Sequence, residues 1–285
     1  MTGITGTTRL AAVIGHPVRH SLSPTLHNAA FAAAGLDWIY VAFDVAPGAA
    51  GDALVAMRTL GIDGLSVTMP HKDDVARLAD VLDPAAAALR TANTVVRQAD
   101  GRLAAFSTDG AGFVASLIES GVDPRGTRVA VLGAGGAARA VVDALARAGA
   151  ESITVINRSA DRARAAADLA GTRGRVGDMR AVASADLVVN ATSVGMGTDE
   201  VPCDAALLRA GQVVADLVYH PIQTAWLRAA TSIGARTVDG LGMLIHQAVL
   251  QQELWTDRRP DPAVMRAAAE RELAARAVAA HEAAQ

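Results

Sequence analysis

Short apolar runs, each bounded by glycine or proline, alternate along the chain with alanine-rich stretches of helical length. That alternation is the mark of βα units around a mostly parallel sheet. A strand covered on both faces needs a near-continuous apolar run, whereas the crossover helix needs only one apolar stripe. Residues 11–15, 38–45, 64–68, 129–132, 153–157, 187–190 and 213–217, rich in β-branched and aliphatic side chains, are the predicted strands. The expected fold class is therefore α/β. Turn formers gather in Ser120-Gly-Val-Asp-Pro-Arg-Gly-Thr127, just ahead of a strand that opens a glycine loop, and a domain boundary is expected there and again near 237–242. From Asp261 onward, alanine mixed with Arg and Glu predicts a C-terminal helix, read as solvated or as an oligomer contact. The sequence carries no repeat with a period of about 20–50 residues.

Composition narrows the function classes. The chain has 285 residues, of which 51% are hydrophobic, and a net charge of −3, so it can bury a sizeable core and has no global attraction for nucleic acid. Aromatic residues make up 3%, which leaves few platforms on which bases could stack. Cys203 is the single cysteine; it has no intramolecular disulfide partner and no neighbouring ligands at metal spacing, as suits a reducing compartment. The first ten residues, rich in Gly and Thr, lack a basic start and a long apolar stretch, so neither signal nor transit peptide is expected. No apolar run reaches the ~20 residues that span a membrane. A cytoplasmic protein is expected.

The segment Arg128-Val-Ala-Val-Leu-Gly133-Ala134-Gly135-Gly136-Ala137-Ala138-Arg-Ala-Val-Val reads as strand, glycine turn and helix, the order a dinucleotide-binding fold requires. Gly133 permits the tight turn, Gly135 lets backbone approach a pyrophosphate, and the small Ala138 lets helix and strand pack closely. The phosphates would sit on the helix N-terminus, where unpaired N–H groups and the dipole favour negative charge. A glycine pattern of this kind also occurs in ligand-free strand-to-helix links, so the end of the next strand decides the matter. There Asn157-Arg158-Ser159 stands where an acidic residue would hold a ribose 2′-hydroxyl, with Arg162 further along. Two guanidinium groups suit a 2′-phosphate through charge-assisted hydrogen bonds, which favours NADP(H) over NAD(H). The plainer alternative is a pair of solvated arginines at a helix start.

Other polar motifs absorb much of the remaining chain. They are Val13-Ile-Gly15-His-Pro17-Val-Arg-His20-Ser21-Leu-Ser23-Pro24, Ser66-Val67-Thr68-Met69-Pro70-His71-Lys72, Ala92-Asn93-Thr94 and Ser107-Thr108-Asp109-Gly110. Beyond the glycine loop follow Asn190-Ala191-Thr192-Ser193, Asp216-Leu217-Val-Tyr219-His-Pro221 and Asp239-Gly240-Leu-Gly242-Met243-Leu-Ile-His246-Gln247. In this order and over nearly the whole length, the chain resembles the shikimate dehydrogenases. The resemblance implies a substrate domain over 1–112, to which 238–285 return, and an NADP-binding Rossmann-like domain over 113–237. It implies reversible NADP-linked reduction of 3-dehydroshikimate to shikimate.

A ketone-alcohol interconversion moves a proton on oxygen as well as a hydride on carbon, and Lys72 and Asp109 are the candidates to handle that proton. By resemblance Lys72 is the principal acid/base and Asp109 its partner. Lys72 alone also fits a surface lysine at a helix start. The resemblance further places the substrate carboxylate on Ser21 and Ser23 and ring hydroxyls on Thr68, Asn93, Asp109 and Gln247. Ser23 ahead of Pro24 equally reads as a helix N-cap. Tyr219 is either at the carboxylate end or a core aromatic. Thr192, Leu217, Gly240 and Met243 match positions along the ribose and nicotinamide, or are loop and core packing. The spacing of His16, His20, His27, His71 and His246 does not point to a metal, and the reaction needs none.

Two residues depart from the family pattern. Ser66 and Ser107 each stand where many relatives carry Asn, and a shorter hydroxyl would enlarge the pocket or leave a hydrogen bond to water. They keep open a quinate- or aminoshikimate-type dehydrogenase, although the lack of an acidic residue after the second cofactor-domain strand speaks against an NAD-linked quinate enzyme. A non-catalytic dinucleotide or ligand sensor is the alternative of another class; such a protein would have little reason to keep both Lys72 and Asp109. Expected partners are a small-molecule substrate and at most a second copy of the chain, not nucleic acid or membrane.

Overall fold

The structure, a computed structural model, describes residues 3–283. It divides into two compact units, 1–108 with 248–285, and 109–247.

The first unit contains β1 (Arg9–Gly15), α1 (Ser23–Ala33), β2 (Trp38–Asp44), α2 (Ala50–Leu60), β3 (Gly64–Val67), α3 (Lys72–Leu78), β4 (Val81–Leu82), α4 (Pro84–Leu89), β5 (Thr94–Arg97) and β6 (Leu103–Phe106). Its six-stranded sheet has the order β2-β1-β3-β5-β6-β4, in which β5 alone runs against its neighbours. The two faces are covered because both kinds of alternate side chain are apolar. Ala12, Ile14, Leu65 and Leu103 meet Leu54, Met57 and Val75 of α2 and α3, while Ala11, Val13 and Tyr40 meet Phe31 of α1 and Trp255. Gly64 is fixed by that second layer, since a Cβ there would lie 2.5 Å from the Trp255 indole.

The second unit contains α5 (Asp109–Glu119), β7 (Arg128–Leu132), α6 (Gly136–Arg147), β8 (Ser152–Ile156), α7 (Ala160–Ala167), β9 (Gly174–Val176), α8 (Arg180–Ser184), β10 (Leu187–Asn190), β11 (Val213–Asp216), α9 (Ala225–Ser232) and β12 (Arg236–Val238). Its sheet is parallel throughout, in the order β12-β11-β10-β7-β8-β9. The chain starts at the centre with β7, winds outward to β9, then crosses to β10 on the other side of β7. That reversal opens a crevice at the carboxyl ends of β7 and β10, where open α/β sheets receive ligands. Val141, Val142, Leu145 and Phe113 cover one face, and Trp226, Leu227 and Val182 the other.

The last two helices are α10 (Gly240–Thr256) and α11 (Pro262–Ala283). The unit boundary falls inside α10, after Gln247. The family resemblance puts the divisions at 112/113 and 237/238, and turn formers collect at 120–127 and near 237–242. Packing moves them: α5 lies close on α6, and Gly112 meets the backbone of Gln247, where an added Cβ would lie 2.6 Å from its nitrogen. The start of α10 therefore belongs with the second unit. One face of α11 is buried against its own chain, with Met265, Ala268, Ala269 and Leu273 inside and α1 as neighbour, so the expectation of a solvated tail is corrected. Among the described residues, no helix is long and apolar enough to cross a membrane.

Candidate active site

The expected substrate residues fall in both units: Ser21, Ser23, Thr68, Lys72 and Asn93 in the first, Asp109, Tyr219 and Gln247 in the second. In the first unit they cluster at the carboxyl ends of β1 and β3. Thr68 follows β3 and is held there by its N–H, which donates to Ile14 O at 2.9 Å. The turn continues with His71 N–H on Thr68 O at 3.0 Å and His16 N–H on Met69 O at 3.0 Å, which delivers Lys72 as the half-buried first residue of α3. Gly15 is required because a Cβ there would run into the Thr68 methyl group. His71 is buried and bonded through Nε2 to Val45 O at 2.8 Å, anchoring the start of α3.

Ser23 is buried but is not the N-cap expected from its place before Pro24. Leu22 occupies the cap position without a side-chain bond, and the Ser23 N–H donates instead to Ser21 Oγ at 3.2 Å. Leu22 already has helical backbone angles, φ −85° and ψ −10°, so the helix begins one residue early and Ser23 stands inside the first turn instead of in the extended conformation of a capping serine.

Behind these residues lies a directional polar network that sequence reasoning did not assign. The Tyr40 hydroxyl donates to Ser66 Oγ at 2.6 Å, and Ser66 donates to Gln251 Oε1 at 2.7 Å. Gln251 Nε2 then donates to Asn93 O and to Thr94 Oγ, both at 3.1 Å. Thr94 Oγ donates to Asn93 Oδ1 at 3.0 Å, and that oxygen also takes the Thr108 N–H at 2.8 Å. Asn93 Nδ2 donates to Thr108 Oγ at 2.9 Å. The Asn93 amide is thus fixed in one orientation. His27 stacks on Tyr40 at 4.4 Å and places Nε2 3.3 Å from Gln251 Oε1. Burial lowers its pKa from 6.5 to about 4, so the ring is neutral, and burial likewise raises the Tyr40 phenol. Ser66, expected to widen the pocket or face water, instead commits its one proton inside this network. Ser107 is half-buried, with its N–H on Asp83 Oδ1 at 3.2 Å.

In the second unit, Asp109 opens α5 and is half-buried, Gln247 is buried on α10 with Nε2 on Leu244 O at 2.8 Å, and Tyr219 is half-buried beyond β11. The glycine turn sits at the crevice between β7 and β10. Gly133 has φ +111°, and a Cβ there would lie 2.9 Å from Ala191 O and 3.0 Å from the Thr192 methyl. Ala134 and Ala138 are buried and Ala137 is half-buried. Gly135 caps α6 without any side-chain bond, and open space surrounds the Cβ positions of both Gly135 and Gly136. A helix N-terminus with bare N–H groups and room in front of it fits a pyrophosphate.

At the end of β8, Asn157 Nδ2 donates to Ser159 O at 3.1 Å, and Ser159 caps α7 by accepting the Arg162 N–H at 3.4 Å. Arg158 and Arg162 are exposed. At β10 the buried Asn190 accepts from Thr192 N–H and Oγ and donates from Nδ2 to Asp216 Oδ1 at 2.8 Å. Asp216 also takes Thr224 Oγ at 2.8 Å and the Val218 N–H at 3.0 Å, and burial raises its carboxyl above the usual range. This knot shapes the loops that carry Thr192 and Leu217. Gly240 is dictated by backbone, since a Cβ would lie 2.5 Å from Leu217 O. Met243 is half-buried and packs against the core of the unit. Cys203 is buried.

Residues 13–95 match the family described as the shikimate dehydrogenase substrate binding domain, 116–196 match shikimate / quinate 5-dehydrogenase, and 240–270 match the shikimate 5'-dehydrogenase C-terminal domain. A shikimate dehydrogenase (NADP(+)) of Moorella thermoacetica is 46% identical over 277 residues, covering 93% of this chain and 94% of that one. The crystal structure of a shikimate dehydrogenase in complex with NADP+ is similar with a TM-score of 0.90 and 35% identity, over 95% of this chain and 98% of that one. Shikimate 5-dehydrogenase from Thermus thermophilus, in complex with NADP(H) and shikimate, is similar with a TM-score of 0.87 and 39% identity, over 92% and 99%.

Proposed function

This chain belongs to the shikimate dehydrogenase family, and from that premise we propose that it catalyses the reversible NADP-linked reduction of 3-dehydroshikimate to shikimate, in the shikimate pathway that leads to chorismate and the aromatic amino acids. The observation that carries the proposal is the pairing of relatives named shikimate dehydrogenase (NADP(+)), similar over nearly their whole length, with an open glycine N-terminus at the switch point of a parallel sheet. NADP(H), when bound, supplies or takes the hydride.

The rest of the chemistry belongs to the chain. Lys72 holds the hydroxyl that becomes the ketone and exchanges its proton, with Asp109 as the carboxylate that directs the ammonium. Ser21 and Ser23 bind the substrate carboxylate, Tyr219 closes that end, and Thr68, Asn93 and Gln247 take ring hydroxyls. The fixed Asn93 amide supports this role, because an oriented side chain loses little freedom on binding. Bare N–H groups of Gly135, Gly136 and Ala137 fit the pyrophosphate, with Gly133 and Ala134 shaping the turn. Asn157, Arg158, Ser159 and Arg162 suit the 2′-phosphate: two of them are exposed guanidinium groups with no acidic residue at the strand end. Thr192, Leu217, Gly240 and Met243 line the ribose and nicotinamide. On this reading 1–108 with 248–285 is the substrate domain and 109–247 the cofactor domain. We place the enzyme in the cytoplasm, as a monomer or homodimer, with no nucleic-acid or membrane partner.

The test is initial-rate spectrophotometry of NADP(H) and NAD(H) with shikimate, quinate and an aminoshikimate. NADP-linked turnover of shikimate that disappears in Lys72→Ala, with the fold retained, is the expected result. Preference for quinate, or no turnover with any of the three, would overturn it.

A further inference from the structure

We infer that Arg276, on the last helix, is a positioning residue for the end of the site that receives the substrate carboxylate; the inference rests on the proposed function, in which Ser21 and Ser23 bind that group. Ser21 lies in the loop between β1 and α1, where His16, Pro17, Arg19 and His20 are exposed and Val18 and Leu22 are buried. A serine hydroxyl is placed by its χ1 rotamer on top of the backbone that carries it, so a fixed peptide ahead of Ser21 removes one source of misplacement where the carboxylate is to bind. The His20–Ser21 peptide is fixed at both ends. Its N–H donates to Val18 O at 3.0 Å, and its carbonyl accepts from Arg276 Nη1 at 2.7 Å across 256 positions of sequence.

Arg276 is itself aimed. Its Nε donates to Glu272 Oε1, one turn back on α11, at 2.7 Å, and the two side chains are each 35% exposed. The helix that carries them packs beside α1 and buries Met265, Ala268, Ala269 and Leu273. The guanidinium therefore projects from an anchored support rather than a frayed end. Glu272 balances its charge, so the contribution is geometric: a charge-assisted hydrogen bond onto a carbonyl, directional and short.

The test combines kinetics with amide exchange in the full-length enzyme. Arg276→Met keeps the aliphatic stem and removes the donor. The expected KM for shikimate rises about tenfold, with kcat within about twofold and KM for NADP+ unchanged. Hydrogen exchange in a peptide covering 16–23 accelerates. Arg276→Lys restores part of the lost affinity. Glu272→Leu keeps the guanidinium but removes the acceptor that clamps it and shows the same split at smaller amplitude, so poor folding of the Met variant does not spoil the test. An unchanged KM for shikimate, an equal rise in both KM values, or unaltered exchange over 16–23 would overturn the inference while leaving the reaction standing. No shikimate turnover in the unsubstituted enzyme would overturn the proposed function and the inference with it.

Discussion

Ser66 receives the proton of Tyr40 and gives its own to Gln251, so all three side chains are satisfied away from water. Removing the hydroxyl takes the shortest bond from a buried phenol and a buried amide oxygen, leaving them Ser23 and His27 as their remaining neighbours, and the loss of a buried partner costs about 1–3 kcal/mol. Ser66→Ala is therefore expected to destabilise by about 2 kcal/mol in urea unfolding. Adding Tyr40→Phe is expected to recover part of that loss, because the donor that lost its partner goes with it; a double-mutant cycle showing simple additivity would refute the coupling. His27 adds a pH dependence. Its folded pKa is depressed from 6.5 to about 4, so between those values the unfolded chain binds a proton that the folded chain refuses. Stability is full above about 6.5 and falls as the pH drops toward 4, by about 3 kcal/mol in total. Chemical unfolding at pH 7 and pH 4.5 checks this, with His27→Asn expected to flatten the difference. The sequence made Ser66 visible as a departure but not its partners, since Gln251 lies 185 positions away and its helical pattern marks only a buried face.

At the scale of elements, the glycine turn and α6 carry a separable prediction. Gly135 is extended, with open space around its Cβ position, so Gly135→Ala is expected to leave thermal stability of the free enzyme within about 1 kcal/mol, the usual Gly-to-Ala range. KM for NADP+ is expected to rise at least about tenfold and KM for shikimate to stay put, because the methyl group intrudes only where the pyrophosphate is proposed. For β8 and α7, Arg158→Ala with Arg162→Ala is expected to raise KM for NADP+ while sparing NAD+; equal losses for both would remove the 2′-phosphate assignment. The strands β7, β8, β10 and β11, four or five residues each, were legible because burial on both faces writes a continuous β-branched and aliphatic run into the sequence. The strands β4, β5, β6, β9 and β12 were not, because they are either two or three residues long or, like Leu-Ala-Ala-Phe and Thr-Val-Val-Arg, lack a run that periodicity separates from helix or loop.

At the scale of the whole molecule, the motifs single out the residues assigned to the chemistry, because polar side chains recurring at consistent spacing are seldom placed by packing alone. The extent of each unit was less accessible. Composition marks turns, whereas a unit is defined by which surfaces pack, and α10 (Gly240–Thr256) gives no outward sign that its two halves serve different cores. The contact of Arg276 with His20 was hidden for the same reason: nothing local to an alanine-rich helix says which loop it will reach.

That shared helix has a consequence for how the chain is made. The ribosome delivers residues 1–108 ahead of 109–247, yet Gln251, Trp255 and all of α11, which complete the core of 1–108, emerge after both. The segment 109–247 is continuous and can close on itself as it appears. The middle of this polypeptide is thus expected to mature before its beginning, and the early strands must wait, with Gly64 uncovered and Ser66 short of its acceptor. Limited proteolysis of arrested nascent chains would show it as protection of 109–247 ahead of 1–108, and the vulnerable interval during synthesis lasts until the final helix is threaded out.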